Sequence, residues 1–292
     1  VVVLLSVCGS LLGQETRKPE IISLLGQPCF SQPDNDEVRS ADQALREKPD
    51  DVDRMIAAGR AHDRVLQFGK SIPLYTRVIQ QAPDDVRGYR FRGHRYISTR
   101  RFQEAIADLK RGERITPDSY DVLYHLGLAQ YLSGRYRESA ETYGRCLGSQ
   151  VTGRPGTLPK DWRSCANLDD DSRVAMMNWR YAALRRGGRH DQARALLESV
   201  REGLAVKESA AYLNALLFYK GERSEEVFTK SKLSGSSLMA LGYPIANFAL
   251  INGNAAKACD MFRKLVADEA SWAAFGFIAA EVDLARGKTC KQ

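Results

Sequence analysis

The four histidines are the side chains of this sequence best suited to acid–base chemistry, but their spacing forms no known catalytic arrangement. They are His62, His94, His125 and His190. No His-Glu-x-x-His, Gly-x-Ser-x-Gly or P-loop pattern occurs in the chain. The acidic run 169–171 lacks the alternating ligands and the glycine of an EF-hand, so it is interpreted as a helix cap. We therefore expect no catalytic residue, no metal site and no cofactor.

The N-terminal residues 1–13 form an apolar, uncharged segment with the length of a signal-peptide core. The segment is too short to span a membrane, which takes about 20 residues. Two routes of processing stay open: lipidation at Cys8, for which Val7 is a poor neighbour, and ordinary cleavage near Gly13. The alternative is an apolar N-terminus with no targeting role. An export signal would make the protein periplasmic, secreted or lipid-anchored, and without one it would be cytoplasmic.

A period of 34 residues is the clearest pattern in the chain. Gly59, Gly93 and Gly127 are 34 residues apart, and so are Pro83 and Pro117. Each glycine is followed twelve residues later by another small residue, and apolar residues recur at helical spacing. The small residues allow two helices to approach closely, and each proline ends the second helix of its unit. The period therefore predicts a series of helix pairs.

These residues resemble the tetratricopeptide repeat family, whose units combine aromatic residues, glycine, alanine and a closing proline. The second unit carries the pattern best, with Tyr89, Gly93, Tyr96, Phe102, Ala105, Leu109 and Pro117. The third unit has Leu123, Leu126, Gly127, Tyr136 and Tyr143. The resemblance implies an all-α, right-handed superhelical solenoid of about six helix-turn-helix pairs with a C-terminal capping helix.

The strength of the repeat pattern divides the chain into five parts. They are a signal-like segment at 1–13, an N-terminal extension with a decayed half-repeat at 14–49, three repeat units at 50–147, an insertion at 148–172, and degenerate units with the capping helix at 173–290. We therefore expect one continuous stack that a single insertion interrupts.

The resemblance also implies a concave groove that is lined by the first helix of each pair and binds partners. The residues at the groove-facing positions are Arg60, Arg64, Arg87, Arg90, His94, Tyr124, Leu128 and Tyr131. This lining changes from cationic to aromatic along the groove. It favours an acidic segment with an apolar anchor, because arginine pairs well with carboxylates. The alternative is that these side chains are merely solvated on a concave face.

The position of the cysteines on such a stack suggests two disulfides, which require an oxidising compartment. Cys146 and Cys165 flank the insertion, whereas Cys259 and Cys290 lie near neighbouring ends of the last helices. For Cys146 and Cys259, the alternative is a role as small buried apolar residues.

The net charge of +7 is concentrated in one repeat. Residues 86–117 hold nine Lys or Arg and three acidic residues, so the rest of the chain is nearly neutral. Because these basic residues are not interleaved with exposed aromatic residues, nucleic acid is an unlikely partner, and nucleic-acid binding stays an alternative function. A further alternative is an accessory subunit of an enzyme complex. The sequence favours a non-catalytic scaffold that binds a protein or peptide and meets a membrane only through its N-terminal segment.

Overall fold

The structure of the protein is a computed structural model that describes residues 18–148, 158–226, 233–287 and 290. Helices make up most of these residues, and their one sheet is a two-stranded hairpin near the N-terminus. The all-α solenoid predicted from the sequence is confirmed. Within the described ranges, no helix is both long and apolar enough to cross a membrane.

A short hairpin and one helix precede the repeats. The strands β1 (Ile21–Ile22) and β2 (Pro28–Cys29) pair in antiparallel fashion. The helix α1 (Asp36–Glu47) follows. Its first turn is capped by the side chain of Asn35, which accepts a hydrogen bond from the backbone N–H of Val38.

Three regular helix pairs follow, and each first helix begins 34 residues after the previous one. They are α2 (Val52–Arg64) with α3 (Phe68–Gln81), α4 (Val86–Ser98) with α5 (Phe102–Ile115), and α6 (Tyr120–Leu132) with α7 (Tyr136–Leu147). The first helices are capped at the same place in the period by Asp51, Asp85 and Ser119. These short polar side chains accept hydrogen bonds from otherwise unpaired N–H groups, and so define where each repeat begins.

The second half of the chain continues the stack with less regular helices. They are α8 (Asp170–Arg186), α9 (His190–Leu197), α10 (Ala210–Lys220), α11 (Gly235–Ile251), α12 (Ala255–Val266) and α13 (Phe275–Arg286). Short 3₁₀ turns lie at Cys165–Asn167 and Glu269–Ser271. Helix α8 packs on α7, α9 and α10, and α11 packs on α10, α12 and α13. The described residues thus hold five helix pairs, together with α1, α10 and α13.

Three glycines on first helices set the close approach within the regular pairs. Each faces a bulky side chain sixteen residues later on the second helix. The contacts join Gly59 to Tyr75, Gly93 to Leu109 and Gly127 to Tyr143. A β-carbon on any of these glycines would stand 2.6–2.8 Å from the opposing side chain. Because the three opposing side chains are fully buried, they have little room to move aside.

Two disulfides join the cysteine pairs that the sequence suggests. Cys146 and Cys165 connect the end of α7 to the 3₁₀ turn before α8, with 4.9 Å between their Cα atoms. Cys259 and Cys290 connect α12 to the chain after α13, with a Cα separation of 5.5 Å. The proposed lipidation residue Cys8 lies outside the described residues.

Candidate binding surfaces

The C-terminal helices cover the middle of the inner face. We define the inner face as the layer of first helices α2, α4, α6 and α8, which contact one another in series. Helix α13 lies against α6, and α11 lies against α8. Phe275, the first residue of α13, packs on the rings of His94, Tyr124 and His125, with centroid distances of 5.2, 6.3 and 5.8 Å.

The aromatic part of the predicted groove is therefore buried, and the expectation of an open groove there is corrected. Tyr124, Leu128 and Tyr131 are only 8, 0 and 3% exposed. The hydroxyl of Tyr131 lies 2.7 Å from the hydroxyl of Tyr243 on α11. The physical reason is that α6 is apolar on every side, and such a helix is stable only when all of its faces are covered. The C-terminal helices provide the cover on the inner side.

Two buried ion pairs fix α13 in this position. Arg100, in the turn between α4 and α5, lies 2.7 Å from Glu281 on α13, and the two side chains are 4 and 0% exposed. Arg186 on α8 lies 2.7 Å from Asp283, which also accepts a hydrogen bond of 3.0 Å from the hydroxyl of Tyr243. Burial raises the pKa of Asp283, and Arg186 opposes this shift. Since removal of α13 would leave buried charges unpaired, this helix is part of the core and not a displaceable cover.

His94 and His125 lie together beneath Phe275. Their ring centroids are 4.4 Å apart. Burial lowers the pKa of both rings well below the usual range, and the cationic side chains of Arg90 and Arg95 lower it further. Both rings are therefore neutral at neutral pH, and they act as packing groups between α4, α6 and α13.

An open cavity of about 480 Å³ remains at the N-terminal end of the inner face, and we call it the inner pocket. It is formed by α2, α4, the first turn of α6 and a short part of the insertion. Its lining residues are Arg60, Asp63, Arg64, Arg90, Phe91, His94, Arg95, Asp121, Lys160, Asp161 and Trp162. Five of these side chains are cationic and three are acidic, so the pocket favours an anionic ligand.

Arg90 and Arg95 form a buried cationic wall of the inner pocket. Arg90 lies 3.5 Å from Asp121, and its guanidinium stands 4.9 Å from the ring centre of Phe91. Arg95 lies 3.7 Å from Asp63. Burial lowers the pKa of Arg90, and Asp121 opposes this shift. The Nε atoms of both arginines are buried without a hydrogen-bond partner in the described residues. The hydrogen-bond donors of the wall are therefore not all used within these residues.

Arg60 and Lys160 are exposed at the edge of the inner pocket. In the part of the chain that the structure describes, no carboxylate forms an ion pair with either side chain. The guanidinium of Arg60 stands 5.5 Å from the ring centre of Phe91, and the Trp162 ring meets Phe91 edge-on at 6.1 Å. Unpaired cations thus stand beside an aromatic surface, which is an arrangement able to hold both carboxylates and an apolar side chain.

The structure brings together four of the eight predicted groove residues. Those that line the inner pocket are Arg60, Arg64, Arg90 and His94. Arg64 also pairs with Glu37 on α1. Arg87 lies outside the pocket, because its guanidinium is held by the carboxylates of Asp85 and Asp53 at 2.6 and 2.7 Å.

Sequence reasoning missed seven of the residues that line the inner pocket. They include Phe91, Arg95, Lys160 and Trp162. The last two belong to the insertion. The Cys146–Cys165 disulfide holds the insertion against the repeats. The backbone N–H of Tyr120 also donates a hydrogen bond of 2.9 Å to the carbonyl of Arg163. The sequence signal for this part of the pocket was Trp162, a tryptophan within a segment rich in glycine, proline and charged residues, because a tryptophan side chain needs a packing partner.

The fold and the repeat geometry define a class of helical repeat proteins, and comparison with known proteins finds a matching repeat and a similar fold. Residues 121–149 match the model of the tetratricopeptide repeat. The chain thus contains a match to this repeat, and its fold is similar to that of a solved tetratricopeptide repeat protein.

Solved structures are similar to the chain at low sequence identity. A tetratricopeptide repeat protein from Parabacteroides merdae is 15% identical, with a TM-score of 0.53 over 86% of this chain and 91% of that one. YrrB, described as a TPR protein with an unusual peptide-binding site, is 13% identical, with a TM-score of 0.46 over 81% and 96%. MamA from AMB-1 is 19% identical, with a TM-score of 0.43 over 55% and 83%. No curated protein sequence matches the chain.

Proposed function

We propose that this protein is a non-catalytic scaffold that binds an acidic segment of a partner protein in the inner pocket. The observation that supports the proposal most is the group of unpaired cations, Arg60 and Lys160, beside the aromatic side chains of Phe91 and Trp162. Helical repeat proteins bind partners through extended concave surfaces, and the inner pocket is the part of that surface left open here.

In this proposal, carboxylates of the partner pair with Arg60 and Lys160 at the edge of the pocket. An apolar side chain of the same segment packs on Phe91 and Trp162. The buried wall that contains Arg90 adds a positive potential behind these contacts. The proposed partner is therefore still the acidic segment with an apolar anchor that the sequence predicts, but it binds over a shorter part of the inner face.

The aromatic end of the predicted groove makes no contact with the partner in this proposal. Tyr124 and Tyr131 are already packed against Phe275 and Tyr243. Hydrophobic surface that the chain buries within its own core contributes nothing further to binding. Specificity therefore depends on the N-terminal repeats and the insertion.

Charge reversal at the edge of the pocket tests the proposal. The variant Arg60→Glu with Lys160→Glu is expected to reduce affinity for partners recovered by the wild-type chain by at least about tenfold, because each charge-assisted contact contributes about 1.5–3 kcal/mol. Affinity for the purified partner is measured by calorimetry. The matched control is Arg114→Glu, since Arg114 is an exposed arginine on α5 that does not line the inner pocket and forms no ion pair within the described residues.

A second variant tests the contribution of the apolar anchor to affinity without changing any charge. Trp162→Ala keeps every cation of the inner pocket, and it is expected to weaken the same partner by several-fold through lost packing. Unchanged affinity in both the charge-reversal and the tryptophan variant would contradict the proposal. Strong binding of nucleic acid with a steep dependence on salt, lost on charge reversal, would replace it with the alternative function.

A further inference from the structure

A second cavity lies on the opposite side of the stack, between second helices. It has a volume of about 630 Å³, and it is enclosed by the end of α7, the outer side of α8, α9 and residues 199–204. We call it the outer pocket. It exists because α9 is short: eight residues span about 12 Å, whereas the seventeen residues of α8 span about 26 Å. The first turns of α8 therefore extend beyond α9.

The guanidinium of Arg180 is built into the wall of the outer pocket. It lies against the backbone of α7 at Gly144, where a β-carbon would stand 2.9 Å from its Nη2 atom. Glycine at this position thus leaves the space that the guanidinium fills. The Nε atom of Arg180 is buried with no hydrogen-bond partner in the described residues, and burial lowers the pKa of the side chain.

Arg180 forms no ion pair with any described carboxylate, and the same holds for Arg173 and Arg201 in the same pocket. The acidic residue of the lining, Asp170, instead accepts a hydrogen bond of 2.7 Å from the backbone N–H of Ala205. This differs from residues 86–117, where almost every cation has a carboxylate partner. A partly desolvated cation without a counter-ion is unfavourable, so the outer pocket favours an anionic ligand.

The segment that follows the pocket contains no residue that could supply an anion. The chain continues from Gly148, at the edge of the pocket, into residues 149–157, which contain no Asp or Glu. A bound ligand is therefore a suitable source of negative charge for this pocket.

The spacing of the cations specifies the shape of such a ligand. Arg173 and Arg180 are seven residues apart on α8, which places them about 10 Å apart along the helix. Met177 lies between them, and Leu147, Leu196 and Leu204 complete an apolar surface. In an extended polyproline-type segment, residues three apart lie on the same side at a distance of about 9 Å. Two carboxylates at this spacing would match the two guanidinium groups.

We propose that the outer pocket binds an acidic peptide segment in which two carboxylate side chains, three residues apart, flank an apolar pair. One carboxylate pairs with Arg180 and the other pairs with Arg173 and Arg201. The two apolar residues between them project to either side of the carboxylates and pack on the flanking apolar surface of Leu147, Leu196 and Leu204. This site is separate from the inner pocket, so the protein can hold two acidic segments on opposite sides of the stack.

A labelled peptide, acetyl-Glu-Leu-Leu-Glu-amide, tests the proposal by fluorescence anisotropy. To isolate the outer pocket, the full-length chain carries Arg60→Glu and Lys160→Glu in every sample. Binding is expected in this background and is expected to fall by at least about tenfold with Arg180→Gln or with the peptide acetyl-Gln-Leu-Leu-Gln-amide. Arg189→Gln, an exposed arginine in the turn before α9, is the matched control and is expected to bind like the background.

Two further variants keep the proposal falsifiable if peptide affinity is low. Gly144→Ala keeps every charge but displaces the Arg180 guanidinium, and it is expected to weaken binding. Arg180→Met removes the unpaired buried cation, and it is expected to raise the melting temperature of the free protein by a few degrees. Absence of binding in the background chain, equal binding by Arg180→Gln, or a lower melting temperature for Arg180→Met would each overturn the proposal.

Discussion

Gly59, Gly93 and Gly127 show how single residues determine the spacing of the helix pairs. In an exposed helix, replacing glycine by alanine stabilises the fold by about 0.5–1 kcal/mol, because alanine loses less backbone entropy. Here the new β-carbon would collide with a buried side chain. Packing strain therefore decides whether replacing glycine by alanine stabilises or destabilises the fold at these positions.

We predict that Gly127→Ala lowers the free energy of unfolding by about 1–3 kcal/mol, because its β-carbon would stand 2.6 Å from the rigid ring of Tyr143. Urea denaturation measures the change. Gly203, where a β-carbon meets no atom within 4 Å, is the matched control, and Gly203→Ala is expected to be neutral or slightly stabilising. Equal effects of the two substitutions would show that the close contact at Gly127 is absent.

The buried histidines should make stability depend on pH. Burial lowers the pKa of His94 and His125 well below the value of about 6.5 that both have in the unfolded chain. Below pH 6.5 the unfolded chain therefore binds more protons than the folded one. The free energy of unfolding is expected to fall with decreasing pH, by up to about 1.4 kcal/mol per pH unit for each histidine.

Urea denaturation at pH 7.5, 6.5 and 5.5 measures this dependence. The double variant His94→Gln with His125→Gln is expected to have a smaller slope between pH 6.5 and 5.5, whatever its absolute stability. His190→Gln is the matched control, because His190 is exposed at the start of α9 and lies outside this cluster of rings. A slope that the double variant does not reduce would mean that the two rings are protonated in the folded protein.

At the scale of elements, α13 completes the core although it lies last in the sequence. Arg100 has a left-handed backbone conformation with φ of 63°, as have Leu66 and Gly134 at the same place in the neighbouring repeats. The unfavourable conformation of a non-glycine residue there is offset by the ion pair that Arg100 forms with Glu281 on α13.

We predict that Arg100→Met lowers the free energy of unfolding by about 3–5 kcal/mol, because Glu281 would keep a buried charge without its partner. The double variant Arg100→Met with Glu281→Leu is expected to recover part of this loss in a denaturation experiment. The control is Arg101→Met, whose ion pair with Glu104 is exposed and worth less than about 1 kcal/mol. Similar losses for Arg100→Met and Arg101→Met would contradict a buried role for Arg100.

The insertion is an element whose position depends on a covalent bond. The Cys146–Cys165 disulfide closes a loop that contains Lys160 and Trp162 of the inner pocket. We predict that replacing both cysteines by serine lowers partner affinity, because the two side chains lose their fixed position, and lowers stability by about 3 kcal/mol. The same replacement at Cys259 and Cys290 is the control, and is expected to lower stability while leaving partner affinity unchanged. Equal partner affinities would show that the insertion is held without the disulfide.

The regular repeats could be predicted from the sequence because their contacts recur at a fixed distance along the chain. The 34-residue period places Gly93 opposite Leu109 with no knowledge of the rest of the molecule. The closure by α13 could not be predicted in this way, since Arg100 and Glu281 are 181 residues apart and belong to no repeating pattern. A further signal was available in α6, whose apolar sequence on all sides is incompatible with an open groove.

Across the whole molecule, most of the positive charge of the second repeat is used to join neighbouring elements. Eight of the nine Lys and Arg residues in 86–117 have a carboxylate within 4 Å. Their partners belong to the preceding repeat, to the following repeat, to the second repeat itself and to α13. The excess charge of this repeat is therefore largely neutralised among the described residues, and the unpaired cations of the two pockets are candidate sites for anionic ligands.

Hydrogen exchange of the free and the partner-bound protein is the measurement that tests the central claim most directly. The claim is that α13 permanently closes the middle of the inner face and leaves only the inner pocket for a partner. We predict that amides of α13 exchange only by global unfolding in both states, and that new protection on binding is limited to α2, α4, the first turn of α6 and residues 158–163. Fast local exchange of α13 in the free protein, with new protection of the later turns of α6 on binding, would contradict the account.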